Sequence, residues 1–205
     1  MTEPLTLRRI RADLHIHTAL SPCGGDDMTP PNIVRAAMDR GLEMIAICDH
    51  NSTGNVAAVQ QAARVMARRA LVVLGGIEIT TAEEVHLMGV FPTADAAEAV
   101  GETVLATLPE GDHHYTDKYG QQMLMNARGK VIGYEMRMLG KPSGLTLPEA
   151  VDLVRNSGGL AIAAHVDRPA YGLVNRMGML PPDVMFDALD LSSFAKALPA
   201  AATFA

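Results

Sequence analysis

The chain carries seven histidines, and five fall at or near the end of a short apolar run: His15, His17, His50, His86 and His165. His86 fits least well, since it lies inside its run. Neutral imidazoles joined by a carboxylate suit borderline divalent ions such as Zn, Mn or Fe. The candidate carboxylate is Glu78 in GGIEIT, which closes a run with no polar residue before it. An isolated buried carboxylate costs several kcal/mol, so Glu78 is either exposed at a rim or bound to a cation. His15 and His17 are two apart, so on a strand both rings project to one side. Asp13 shares that parity and could orient a ring by accepting its N–H. Singly, each feature has an ordinary explanation: an exposed HxH, or Asp49-His50 as a helix-capping pair. Together they make a coordination sphere. His113 and His114, in the polar string GDHHY, read as solvated. Cys23 is either a soft ligand or a buried thiol, and the buried thiol is preferred. The 13 methionines read as core filler.

The elements that must position these residues alternate. Strands are expected at 10–16, 44–48, 71–79, 84–91 and 159–164, with a further one at 186–191. Thr29-Pro30-Pro31 opens a helix that stops near Gly41, and Thr146-Leu147-Pro148-Glu149 opens another to about Asn156. Residues 55–69 and 94–107 also read as helices. Residues 109–142 break the rhythm and read as an insertion, with a hairpin turn at Ala127-Arg128-Gly129. Short apolar strands alternating with helices imply an α/β fold with a mostly parallel sheet or barrel. Residues 1–205 are read as a single domain. In such folds sites form at the strand C-terminal ends, where four of the five histidines are placed.

Composition sets the outer bounds. Lys and Arg total 17, Asp and Glu total 23, and the net charge is −6. Such a surface has no general pull toward nucleic acid or anionic lipid, so no stable nucleic-acid binding and no membrane partner are expected. Two cysteines cannot make a disulfide scaffold and suit a reducing compartment. The opening residues lack the apolar segment of a signal peptide, so the reading is a cytoplasmic protein.

The strings DLHIHT (13–18), ICDHNS (47–52), GIEIT (76–80), HLMGVF (86–91) and AHVDRP (164–169) occur in the order that resembles the PHP (polymerase and histidinol phosphatase) family of metal-dependent phosphoesterases. The resemblance implies a distorted (β/α)7-type barrel and up to three divalent ions. By the same resemblance, His15 and His17 bind one ion and Glu78 bridges two. His50 sits on a second, His86 and His165 on a third, and Asp49 supports the site. Two departures stand out. Cys23 occupies about the place of the third ligand of the first motif, with Asp26 and Asp27 slightly later. No Asp-x-His follows His165, and 192–205 contains no Asp, Glu or His. The expectation is therefore a barrel lacking its last strand in this chain, with an incomplete metal set and an open edge that favours self-association. Asp190 is not promoted to a ligand.

Such a site would remain strongly positive and attract an anionic substrate. A bound metal lowers the pKa of water toward ~7, so metal-bound hydroxide would attack a phosphate ester. Arg168 either stabilises phosphoryl oxygens or is a plain rim charge. The expected function is hydrolysis of a phosphate ester of a small metabolite or nucleotide, with the insertion selecting the substrate. The alternatives are a binding or structural module of the same fold, and a metal amidohydrolase, which would need a bridging Lys that has no clear candidate.

Overall fold

A computed structural model describes residues 8–67 and 71–192. The tail on which the open-barrel expectation partly rests, 193–205, lies outside the described residues. So do the last positions of the helix expected at 55–69.

Six strands form the main sheet: β1 (Ala12–Ile16), β2 (Met44–Ile47), β3 (Val72–Thr80), β4 (His86–Phe91), β7 (Leu160–Ala163) and β8 (Ala188–Leu189), in the order β1-β2-β3-β4-β7-β8. β1, β2 and β3 pair in parallel, as do β7 and β8; β4 alone runs against both its neighbours. The curled, half-barrel sheet bears out the α/β expectation. Among the described residues, β1 pairs only with β2 and β8 only with β7, so these strands are its edges.

The period-2 alternation of the strands sorts side chains between two layers. Outward-pointing Ile45 and Ile47 pack on α1 (Pro30–Asp39) and α2 (Val56–Met66), through Ile33, Val34, Ala37, Val59 and Ala62. Outward-pointing Ile77, Ile79 and Leu87 pack on α3 (Ala94–Leu105) and α5 (Leu147–Asn156), through Val100, Val104, Val151 and Val154. Each helix presents an apolar stripe at the spacing that burial requires. Inward-pointing Ala46, Cys48, Met88, Val90, Ile162 and Ala164 fill the concave face. Glu78 falls between Ile77 and Ile79, so it too must point inward.

The connection from β3 to β4 has only five residues, 81–85, too short for a parallel crossover. β4 is therefore antiparallel, with Thr80 opposite His86. His86 begins its strand rather than ending it, and still reaches the rim where the other strands end.

The insertion contains α4 (His113–Tyr119) and the hairpin of β5 (Met123–Met125) and β6 (Val131–Tyr134). The Asn126 Oδ1 accepts from the N–H groups of Arg128 and Lys130 at 2.9 and 3.1 Å, and Gly129 takes a φ of 76°. The expected turn is in place. His113 and His114, however, open a helix capped by Asp112, whose carboxylate accepts from the Tyr115 N–H at 2.9 Å. That cap, three residues ahead of its donor, turns a polar segment helical. α6 (Leu173–Met177) precedes β8. No described helix is long and apolar enough to cross a membrane.

Candidate metal centre

Glu78 is fully buried at the end of β3, and five imidazoles surround its carboxylate. Its Oε1 lies 3.3 Å from His15 Nε2, 3.0 Å from His86 Nδ1 and 3.0 Å from His165 Nε2. Its Oε2 lies 3.2 Å from His17 Nε2 and 3.3 Å from His50 Nδ1. All five histidines that the sequence singles out thus converge on one carboxylate; His113 and His114 are exposed on α4.

The local backbone accounts for this convergence. The β1–β2 ladder is irregular between Asp13 and Ile16, where the chain turns His15 and His17 onto the rim. Their Nε2 atoms are 3.2 Å apart, so the rings do share a side. The same irregularity takes Asp13 away from the rings. It is exposed, and its Oδ1 faces the His15 backbone N–H at 3.3 Å. His50 sits beside Glu78 because β2 extends by a parallel bridge to β3, with the Asn51 N–H donating to the Glu78 carbonyl at 2.9 Å. Asn51 and His165 hold φ values of 51° and 29°. For non-glycine residues these left-handed values cost about 1–3 kcal/mol each, and they cluster where the chain turns into the site.

Asp49 does not touch an imidazole. It is fully buried, and its oxygens accept from the Thr18 N–H (2.7 Å), the Thr18 hydroxyl (2.7 Å) and the Ser21 hydroxyl (2.7 Å). Burial pushes its carboxyl up, against these hydrogen bonds. Ser21 Oγ also accepts from the His50 N–H at 2.9 Å and lies 3.0 Å from His17 Nδ1. Asp49 thereby clamps the loop between β1 and α1 to the end of β2, and turns His17 Nε2 toward Glu78.

Asp190, which sequence reasoning passed over, is in the site. It follows β8, as Asp49 follows β2, and that position at a strand end was the available signal. Its Oδ2 lies 3.5 Å from His15 Nδ1 and accepts from the His165 N–H at 3.1 Å. The His15 hydrogen bond holds its carboxyl below the ordinary range. Cys23 is also corrected. It is exposed rather than a buried thiol, because the loop that carries it folds back over the rim. Cys48 is the buried thiol.

The electrostatics follow from crowding. Burial opposes charge on His15, but Asp190 and Glu78 outweigh it and lift the ring to about 9. His17 is likewise opposed by burial and lifted to about 10 by Cys23 and Glu78. Burial dominates at His50 and drops it to about 3. Glu78 resists its own burial through its histidine partners and lies well below the usual carboxylate range.

The donor set fits divalent ions. The buried Nδ1 of His50 and Nδ1 of His165 have no hydrogen-bond partner. Three sets of donors could each hold an ion: His15, His17 and Glu78; His50, Glu78 and His86; and His17, Cys23 and His50. Within each set the donor atoms all lie within 4.8 Å of one another. The cluster floors a cavity of about 650 Å³, and Arg168 is the only Lys or Arg among its described lining residues. A smaller cavity of about 210 Å³ adjoins it, where Tyr119 and Gly140 of the insertion face Cys23, His50, His86 and Tyr171.

The chain is thus an α/β protein whose half-barrel carries on its rim a histidine–carboxylate cluster that could hold metal ions. The chain belongs to the PHP domain family, whose match covers residues 13–158. It is 26% identical over 168 residues to the uncharacterized protein MJ1587 of Methanocaldococcus jannaschii, covering 78% of this chain and 70% of that one. It is 31% identical over 102 residues to a 3',5'-nucleoside bisphosphate phosphatase of Chromobacterium violaceum. That match covers 48% of this chain and 33% of the phosphatase. Among solved structures, it resembles a Bifidobacterium adolescentis protein assigned as a metal-dependent phosphoesterase (TM-score 0.58, 19% identity, 89% of this chain and 77% of that one). It also resembles Endonuclease Q bound to a 27-mer duplex with an abasic lesion (TM-score 0.62, 19% identity, 95% of this chain and 46% of that one). The fold therefore lends no support to excluding nucleic acid, which the charge balance alone had suggested.

Proposed function

We propose that the chain hydrolyses a phosphate ester of a small metabolite or nucleotide, using divalent ions held by Glu78, His15, His17, His50, His86 and His165. The single observation behind this reading is one buried carboxylate ringed by five imidazoles on the floor of an open cavity. Zn, Mn or Fe bound there would supply Lewis acidity and an acidified water. The chain's own residues supply the rest. Glu78 brings the one negative charge that two ions can share. Asp190 steadies His15, and Asp49 holds the loop that carries His17. Arg168, exposed at the cavity wall, pairs with a phosphoryl oxygen and orients the substrate. Tyr119 and Gly140 line the smaller adjoining cavity, through which the insertion would select the substrate.

The test is release of p-nitrophenol from aryl phosphate mono- and diesters by the purified chain, before and after chelation and metal return. A nucleoside bisphosphate and an abasic DNA duplex complete the panel. Metal-dependent turnover of the small esters is expected, with KM raised roughly tenfold in Arg168→Ala. Turnover of the duplex alone would replace the small substrate with nucleic acid. Metal binding without turnover of any ester would favour a binding module instead.

A further inference from the structure

The loop between β1 and α1 does more than carry His17. Thr18 and Ser21 are clamped to Asp49, and the Gly24 N–H donates to the Ser21 carbonyl at 2.8 Å. A Cβ at Gly24 would stand 2.0 Å from the Thr18 carbonyl oxygen, so only glycine lets the chain close this tightly. The closure delivers Cys23 to the wall of both cavities. Its Sγ and one ring nitrogen each of His17 and His50 all lie within 4.8 Å of one another. On a tetrahedral ion with Zn–S near 2.3 Å and Zn–N near 2.1 Å, sulfur and nitrogen stand about 3.6 Å apart, so small side-chain movements complete the set.

Both imidazoles turn a nitrogen into the cluster. Ser21 engages His17 through Nδ1, and its Nε2 lies 3.2 Å from Glu78 Oε2. The His50 Nδ1 is buried, makes no hydrogen bond and lies 3.3 Å from the same oxygen. Cys48 makes the contrast. It is buried and donates its S–H to the Leu14 carbonyl at 3.4 Å, so it is spent on packing.

We propose that Cys23 supplies a thiolate to the ion shared with His17 and His50, which makes this position selective for thiophilic ions, zinc over manganese. The proposal rests on the metal reading above. On binding, the S–H bond breaks, its proton leaves to solvent, and a sulfur–metal bond forms. A nitrogen or oxygen donor at this place would leave the position open to harder ions.

The experiment loads the full chain with Co²⁺. Thiolate ligation gives an intense near-ultraviolet charge-transfer band, whereas imidazole and carboxylate alone give only weak visible bands. The band is expected in the unmodified chain and lost in Cys23→Ser, an exposed and nearly isosteric change. Zinc-over-manganese preference in competition should fall at least about tenfold in Cys23→Ser. Cys23→Asp should hold an ion but prefer manganese more than the unmodified chain does. Visible cobalt bands without the near-ultraviolet band, or a band that survives Cys23→Ser, would overturn the thiolate and leave the metal centre standing. No cobalt bound at all would overturn both.

Discussion

The two oxygens of Glu78 face differently built surroundings. On the Oε2 side, His17 and His50 are held by Asp49, a fully buried carboxylate that accepts three hydrogen bonds of 2.7 Å. On the Oε1 side, His15 and His165 depend on Asp190, whose side chain is 34% exposed and whose contacts are 3.5 and 3.1 Å. Asp49 lies beyond a strand in the interior of the sheet, with helices packed over it. Asp190 lies beyond an edge strand of two residues. A carboxylate in the sheet interior can be part of the fold; one beyond its edge serves mainly the site it touches.

Glu78→Gln removes what both sides share. Hydrolysis of an aryl phosphate should drop roughly 10³-fold, with a matching loss of bound metal by elemental analysis. Unchanged rates would remove Glu78 from the centre of the comparison. Asp49→Ala should cost about 3 kcal/mol by stranding the buried donors of Thr18 and Ser21. The melting temperature of the metal-free chain should then fall about 6–12 °C. A calorimetric shift under about 2 °C would mean that the loop holds without its clamp. Asp190→Asn should separate stability from binding. Metal affinity should weaken about 10- to 100-fold by competition with a chelating dye. Melting should move less than about 3 °C, since Asp190 is partly solvated. A melting loss as large as that of Asp49→Ala would erase the distinction between interior and edge. His113→Ala sets the floor: on exposed α4 it should change stability by less than about 0.5 kcal/mol in urea unfolding and leave turnover unaltered.

The strands, the helices and the five convergent histidines were legible because burial imposes a period on a sequence and strand ends are marked by where that period breaks. What stayed hidden were relations between elements distant along the chain. The reversed direction of β4 could have been read from the five residues 81–85, which cannot span a crossover. Asp190 lay near the end of an expected strand, 186–191, but its reach to His15 depends on how β8 docks beside β7. Cys23 stood at the expected place of a ligand, but its exposure on the rim required the fold-back at Gly24, a single close approach that no periodicity announces. The helix at His113 needed its cap, Asp112, to be weighed above the polarity of the segment.

The reversal of β4 also bears on how the chain gathers its donors as it folds. β3 and β4 close over five residues, while every other neighbouring pair in the main sheet waits on more than twenty. Loop-closure entropy makes the short hairpin cheaper by about 1 kcal/mol or more. Glu78 and His86 therefore meet at the lowest entropic cost of any neighbouring pair in the main sheet. The carboxylate at the centre of the site stands on the pairing that chain entropy opposes least, and the strands that bring the other imidazoles join across longer loops.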